Sequence, residues 1–176
     1  MKRHIFDAAV SRYSRRVFTY SCYLLGDRVD AEDVTQEVLI KLWDRGPEIE
    51  ADRLGAWLLT VTRNACTDAI RKRRRAAEIV PIRRDGEIAA DRPSSSPNPE
   101  QLAAGSQLGD RIFEALDLLT EPSRSVVILR EIQGLSYAEI AEVTGISLDS
   151  VKVTLHRARR RLRESLKEVR PHVAAG

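Results

Sequence analysis

Apolar residues recur along this chain three and four positions apart, with no segment of sustained strict alternation, so the pattern predicts helices throughout and no strand. Phe6, Val10, Tyr13, Val17, Tyr20 and Leu24 make a first stripe, ended by Gly26. A second helix is predicted from near Asp30, with Ala31, Val34, Val38 and Leu42 turned inward, to the break at Gly46-Pro47. A third runs from about Leu54, with Trp57, Leu58, Val61 and Ala65 packing, into the basic run Arg71 to Arg75. Over residues 76–105 Pro, Ser and Asn accumulate and no periodic apolar face survives. Beyond that stretch Leu108, Ile112, Leu116 and Leu119 predict another helix, and Pro122 falls in the first turn of the one after. The expectation is an all-α protein of two small helical domains, residues 1–75 and 106–176, joined by a flexible linker over 76–105.

The stretch GLSYAEIAEVTGIS, Gly134 to Ser147, predicts a tight corner between two helices. Ser136 and Glu139 have capping-box spacing, each side chain able to accept from the other's free backbone N–H. Ile140 and Val143 continue that helix, Gly145 supplies the left-handed conformation that ends it, and Ser147 can cap the next. Val151, Leu155, Ala158, Leu162 and Leu166 then form one apolar stripe on a helix whose other faces stay free. Two helices joined in this way make a helix-turn-helix, whose second helix can lie in the major groove of DNA.

Charge sharpens this picture. The formal net charge of the 176 residues is only +3, but eight Lys/Arg face two Glu between Lys152 and Arg170, and six face Asp68 alone between Arg63 and Arg75. From Asp27 to Glu50 eight acidic residues outnumber three basic ones. Two basic patches call for a polyanion, and the acidic one for a basic or polar partner. No apolar run approaches a membrane span and the amino terminus lacks the core of a signal peptide, so no membrane insertion and a cytoplasmic location are expected. Cys22 and Cys66 do not form a disulfide framework, and no Cys/His cluster has zinc-ligand spacing; they read as small buried apolar residues, with a redox pairing the less favoured alternative. No metal or cofactor is implied.

Three blocks now carry a family resemblance. LLGDRVDAEDVTQEVLIKLWDR, AWLLTVTRNACTDAIRKRRR and LTEPSRSVVILREIQGLSYAEIAEVTGISLDSVKVTLHRARRRLRE resemble, in order and spacing, those of a bacterial extracytoplasmic-function sigma factor of the sigma-70 family. The resemblance covers nearly the whole chain. It implies a transcription initiation factor with region two, which binds core RNA polymerase and opens promoter DNA, and region four, which binds the upstream element. The middle domain of larger sigma factors is replaced by the linker.

Residue by residue, Asp33, Gln36 and Glu37 share one helix face while Val34 and Val38 turn inward, and the D-x-x-Q-E match implies contact with the coiled coil of the polymerase clamp. A solvated acidic face is the plain alternative. Arg63, Asn64, Asp68, Arg71 and Lys72 are similar to the surface that meets the minus-ten element, where unpaired bases are trapped and the backbone is neutralised. The loop from Gly46 to Arg53 lies where the family captures a flipped base, whereas Trp57 reads as core. In the last helix Ser150, Lys152, Val153, Thr154, His156 and Arg157 project away from the apolar stripe or flank it, with Arg160 and Arg161 further along. Early turns read base edges and later arginines meet phosphates at the minus-thirty-five element. The family more often carries a small polar residue at 153 and arginine at 154; Val153 and Thr154 depart from that and favour contact with a thymine methyl.

A stand-alone helix-turn-helix regulator would account for the second domain but would need neither the D-x-x-Q-E helix nor the basic third helix. An enzyme is disfavoured, since there are three histidines, no phosphate-binding glycine loop and no nucleophile motif. The family's habit of inhibition by an anti-sigma factor clamping both domains makes such a partner expected.

Overall fold

The computed structural model describes residues 3–79 and 107–168, and among them every regular element is helical. Helix α1 (Arg3–Leu25) buries Tyr13, Val17, Tyr20 and Leu24 of its predicted stripe, leaves Phe6 and Val10 half-buried, and stops at Gly26, whose φ of 68° is left-handed. Asp27 then accepts from the backbone N–H of Asp30 (2.9 Å) and caps α2 (Arg28–Arg45), which therefore starts two residues before the expected Asp30. Ala31, Val34, Val38 and Leu42 are buried, as their spacing requires. At Gly46-Pro47 the chain tightens into a short 3-10 turn, Gly46–Glu48, before α3 (Leu54–Ile79). Helix α3 runs four residues past the expected end of the first domain. The rest of the predicted linker, like the tail from 169 onward, lies outside the described residues.

Helices α4 (Gln107–Asp117), α5 (Glu121–Val127), α6 (Tyr137–Thr144) and α7 (Leu148–Glu168) build the second domain around Leu116, Val126, Ile128, Leu129, Ile140, Val143, Val151 and Leu155. Both halves of the capping box form: Glu139 N–H donates to Ser136 Oγ (3.3 Å), and Ser136 N–H to Glu139 Oε2 (2.7 Å). Gly145 closes α6 at φ 72°, donating to Ala141 O. Ser147 caps α7 by accepting from Ser150 N–H (3.2 Å). Between α5 and α6 the backbone widens into a π-turn, Ile128–Ile132, with Gln133 N–H reaching back to Ile128 O (3.0 Å). No periodicity in the sequence announced this turn.

The two domains also pack against each other. Tyr20 and Ser125, both fully buried, bring their hydroxyls within 2.6 Å across the interface. Arg16 donates from Nε to Gln133 Oε1 (3.1 Å) and from Nη2 to Gln133 O (3.3 Å), and Gln133 Nε2 donates to Arg16 O (3.1 Å). Thr67 donates to Glu121 Oε1 (3.0 Å), Arg124 donates to Leu24 O (3.3 Å), and the rings of Tyr23 and Phe113 stack 5.0 Å apart. One apolar core is continuous through both domains.

Candidate nucleic-acid and partner surfaces

On α2 the inward stripe fixes what faces out. Asp33, Gln36 and Glu37 are all exposed, with Glu37 paired to Lys41 one turn on. The same outer face carries large apolar side chains outside the predicted stripe: Val29, Ile40 and Trp43 are 56%, 63% and 43% exposed. The order Val29, Asp33, Gln36, Ile40, Trp43 advances by four, three, four and three, so they form one stripe. The signal was present in the sequence as a second helical period, out of phase with the buried one. Trp43 is steadied edge-on by Phe6 of α1 (centroids 5.0 Å, 87°). Carboxylates flanking exposed apolar groups suit a partner helix that is basic and apolar along one side.

Four of the five predicted residues on α3, Asn64, Asp68, Arg71 and Lys72, share one exposed face by their spacing. Asp68 and Lys72 line a shallow groove opposite Asp33 and Glu37 of α2, so the two predicted surfaces adjoin. Arg71 leans on Asp68 (3.5 Å), and Arg73 is tied to Asp30 (3.4 Å) and Leu25 O (3.5 Å) at the far end of α2 and α1. Arg63 stands apart. It is half-buried, its Nε finds no acceptor among the described residues, and it lies one turn from Thr67 on the side facing α5. The Gly46–Arg53 loop borders a groove with Trp57 and Thr60, and Arg53 reaches Glu142 of α6 at 3.8 Å. Trp57 is half-buried against the core, as expected.

Along α7, Val151, Leu155 and Ala158 are buried and Leu162 half-buried, which turns Ser150, Lys152, Val153, His156, Arg157, Arg160 and Arg161 outward; Thr154 is half-buried. Several of these are already engaged. Ser150 Oγ lies 2.8 Å from Ser147 Oγ, Lys152 binds Asp149 (3.0 Å), and Arg160 lies 3.7 Å from Glu164. His156, Arg157 and Arg161 make no hydrogen bond or ion pair among the described residues, and Val153 is 48% exposed. Arg159, which nothing in the sequence sets apart from the rest of the basic run, donates from Nε (3.0 Å) and Nη2 (2.6 Å) to Glu131 Oε1, and this pairing raises its pKa.

Burial pushes both thiols, Cys22 and Cys66, up to about 12, which suits the small-apolar reading and removes the thiolate that redox chemistry needs. Among the described residues no cluster of His, Cys, Asp and Glu could hold a metal, and no helix is long and apolar enough to cross a membrane.

Comparison with known proteins gives these surfaces a context. Residues 9–76 match the family described as Sigma-70 region 2, and residues 109–162 match Sigma-70, region 4. The chain is 33% identical over 168 residues to the ECF RNA polymerase sigma factor SigL of Mycobacterium tuberculosis, covering 94% of this chain and 90% of SigL. It is 36% identical over 162 residues to SigE of Mycolicibacterium smegmatis, covering 92% of this chain but 61% of that longer relative. Among solved structures it resembles the sigma factor RpoE of Bartonella quintana, determined in complex with the anti-sigma factor NepR, with a TM-score of 0.72, 28% identity, and 94% and 98% of the two chains covered.

Proposed function

Since the chain belongs to the ECF RNA polymerase sigma factors, we propose that it binds core RNA polymerase through the outer face of α2 and directs it to promoters in the cytoplasm. In this assignment Asp33, Gln36 and Glu37 supply the polar contacts on the clamp coiled coil, and Val29, Ile40 and Trp43 supply apolar area around them. Asn64, Asp68, Arg71 and Lys72 meet the minus-ten element, with Arg63 joining them only where the second domain has moved aside. On α7, Val153 and Thr154 read base edges in the company of Ser150, Lys152 and His156, while Arg157, Arg160 and Arg161 neutralise the backbone of the minus-thirty-five element. The assignment gives the chain no catalytic step of its own.

One observation carries the reading: a carboxylate-bearing face on α2 and a basic face on α7 are both exposed on the same chain. A stand-alone regulator leaves the first of these without a task. By analogy with the NepR complex, an anti-sigma factor is the natural inhibitor, and the proposal includes one. The test is to add the purified chain to core polymerase and sequence the transcript starts over a genomic library. Specific starts sharing an upstream and a downstream motif are expected; no binding to core and no specific start would end the proposal.

A further inference from the structure

Among the arginines of α7, Arg159 is held differently from its neighbours. Its guanidinium makes two hydrogen bonds to one carboxylate oxygen of Glu131, and the pair is only partly exposed, 37% and 47%. Glu131 sits in the π-turn, and that turn is itself anchored. Arg130 stacks over Tyr137 at 5.0 Å and donates to Leu135 O (2.7 Å). Gln133, two residues on and so on the far side of the turn, is locked to Arg16 by three hydrogen bonds. A rigid support therefore grips α7 at one point beside its apolar stripe.

That stripe holds the first turns through Val151 and Leu155, both fully buried, and gives weaker control of rotation beyond them. Its last fully buried member is Ala158, which offers a single methyl group for packing. A roll of about 10° moves side-chain tips roughly 1 Å at the surface of a helix, enough to spoil a hydrogen bond to a base edge. We propose that Arg159 is a positioning residue: its pair with Glu131 fixes the rotation of α7, and it does not neutralise a phosphate. The inference rests on the reading of α7 as the upstream-element helix. It divides the basic run LHRARRRLRE into one brace and a set of groups left for DNA.

The two roles predict opposite signs. If Arg159 met a phosphate, Glu131 would be a competing anion beside the DNA, and Glu131→Gln would strengthen binding. As a brace, Glu131→Gln and Arg159→Gln should each weaken upstream binding by holoenzyme about threefold to tenfold, the scale of a half-exposed charge-assisted pair. The salt slope should stay unchanged, since no phosphate contact is lost. Exchanging the partners, Glu131→Arg with Arg159→Glu, should restore much of the binding, although it turns a basic group acidic near DNA. Melting temperature and core affinity measured on each variant separate lost rotation from lost folding. In the free chain the Arg159 Nε–H nuclear magnetic resonance signal should exchange slowly and lose that protection in Glu131→Gln, whatever the promoter reading. Stronger binding by Glu131→Gln, a slope shallower by about one unit in Arg159→Gln, no rescue by the exchange, or an unprotected Nε–H would each overturn the proposal.

Discussion

The hydroxyl pair between the domains permits a sharp test of what holds them together. Tyr20 and Ser125 are fully buried and 2.6 Å apart, so removing either oxygen takes from the other its partner across the interface. An orphaned buried hydroxyl costs about 1–3 kcal/mol, and for a chain of this size each kcal/mol lowers the melting temperature by roughly 2–4 °C. The two single variants should not cost the same. In Tyr20→Phe, Ser125 can turn to the carbonyl one helical turn back, whereas in Ser125→Ala the phenol has no backbone acceptor of its own. Ser125→Ala should therefore be the harsher change. The double variant orphans nothing, so it should be less destabilised than the sum of the singles by on the order of 1–3 kcal/mol. Urea unfolding followed by circular dichroism on the four proteins gives the coupling directly. Additive singles would refute the reasoning, because the pair would then contribute no interaction free energy.

Replacing Asp33, Gln36 and Glu37 together with alanine should weaken core polymerase binding while leaving the melting temperature unchanged, because all three point away from the core; equilibrium binding to labelled core checks this. Arg161→Ala should weaken binding to all upstream elements alike and make the salt dependence shallower by about one unit, whereas Val153→Ser should change which element is preferred, by roughly 1–3 kcal/mol for a lost base contact; promoter selection at several salt concentrations separates the two. Ser136→Ala should cost about 1 kcal/mol of stability. The hydrogen bonds from Ser136 hold the Glu139 carboxyl below its ordinary pKa. Its contribution is thus full above the ordinary carboxylate value and is lost as pH falls through the lowered one, and melts taken from neutral to acid pH should show this slope flattened in Glu139→Gln.

How much of this was legible depended on how local the physics was. The capping box and the glycine at 145 were readable because their partners lie within four residues. The stripes of α1, α2 and α3 were readable because helical periodicity reports burial without needing to know the neighbour. It could not report which neighbour. Tyr20 occupies a stripe position indistinguishable from those that pack within the first domain, and its hydroxyl finds Ser125 across more than a hundred residues of chain. Arg63 and Asn64 are adjacent in sequence, yet 100° apart on the helix they meet different surroundings. The π-turn left no trace because ILREI is made of ordinary helix formers. Arg159 looked like every other arginine of its run until Glu131 was placed beside it.

The contacts between α1 and the second domain set a limit on reach. A domain of roughly 70 residues has a radius of gyration of about 11 Å, so two roughly spherical ones in contact span about 55 Å. Elements centred at minus ten and minus thirty-five are separated by roughly twenty-five base pairs, or about 85 Å at 3.4 Å per step. On the proposed assignment of one element to each domain, the side-by-side arrangement does not reach both, so Arg16 should release Gln133 and Tyr20 should release Ser125 before a promoter is engaged at both ends. These contacts therefore oppose promoter engagement, because the apparent dissociation constant is the intrinsic one divided by the fraction of open chain. The substitutions that lower the melting temperature of this interface should be the ones that make the chain assemble more readily.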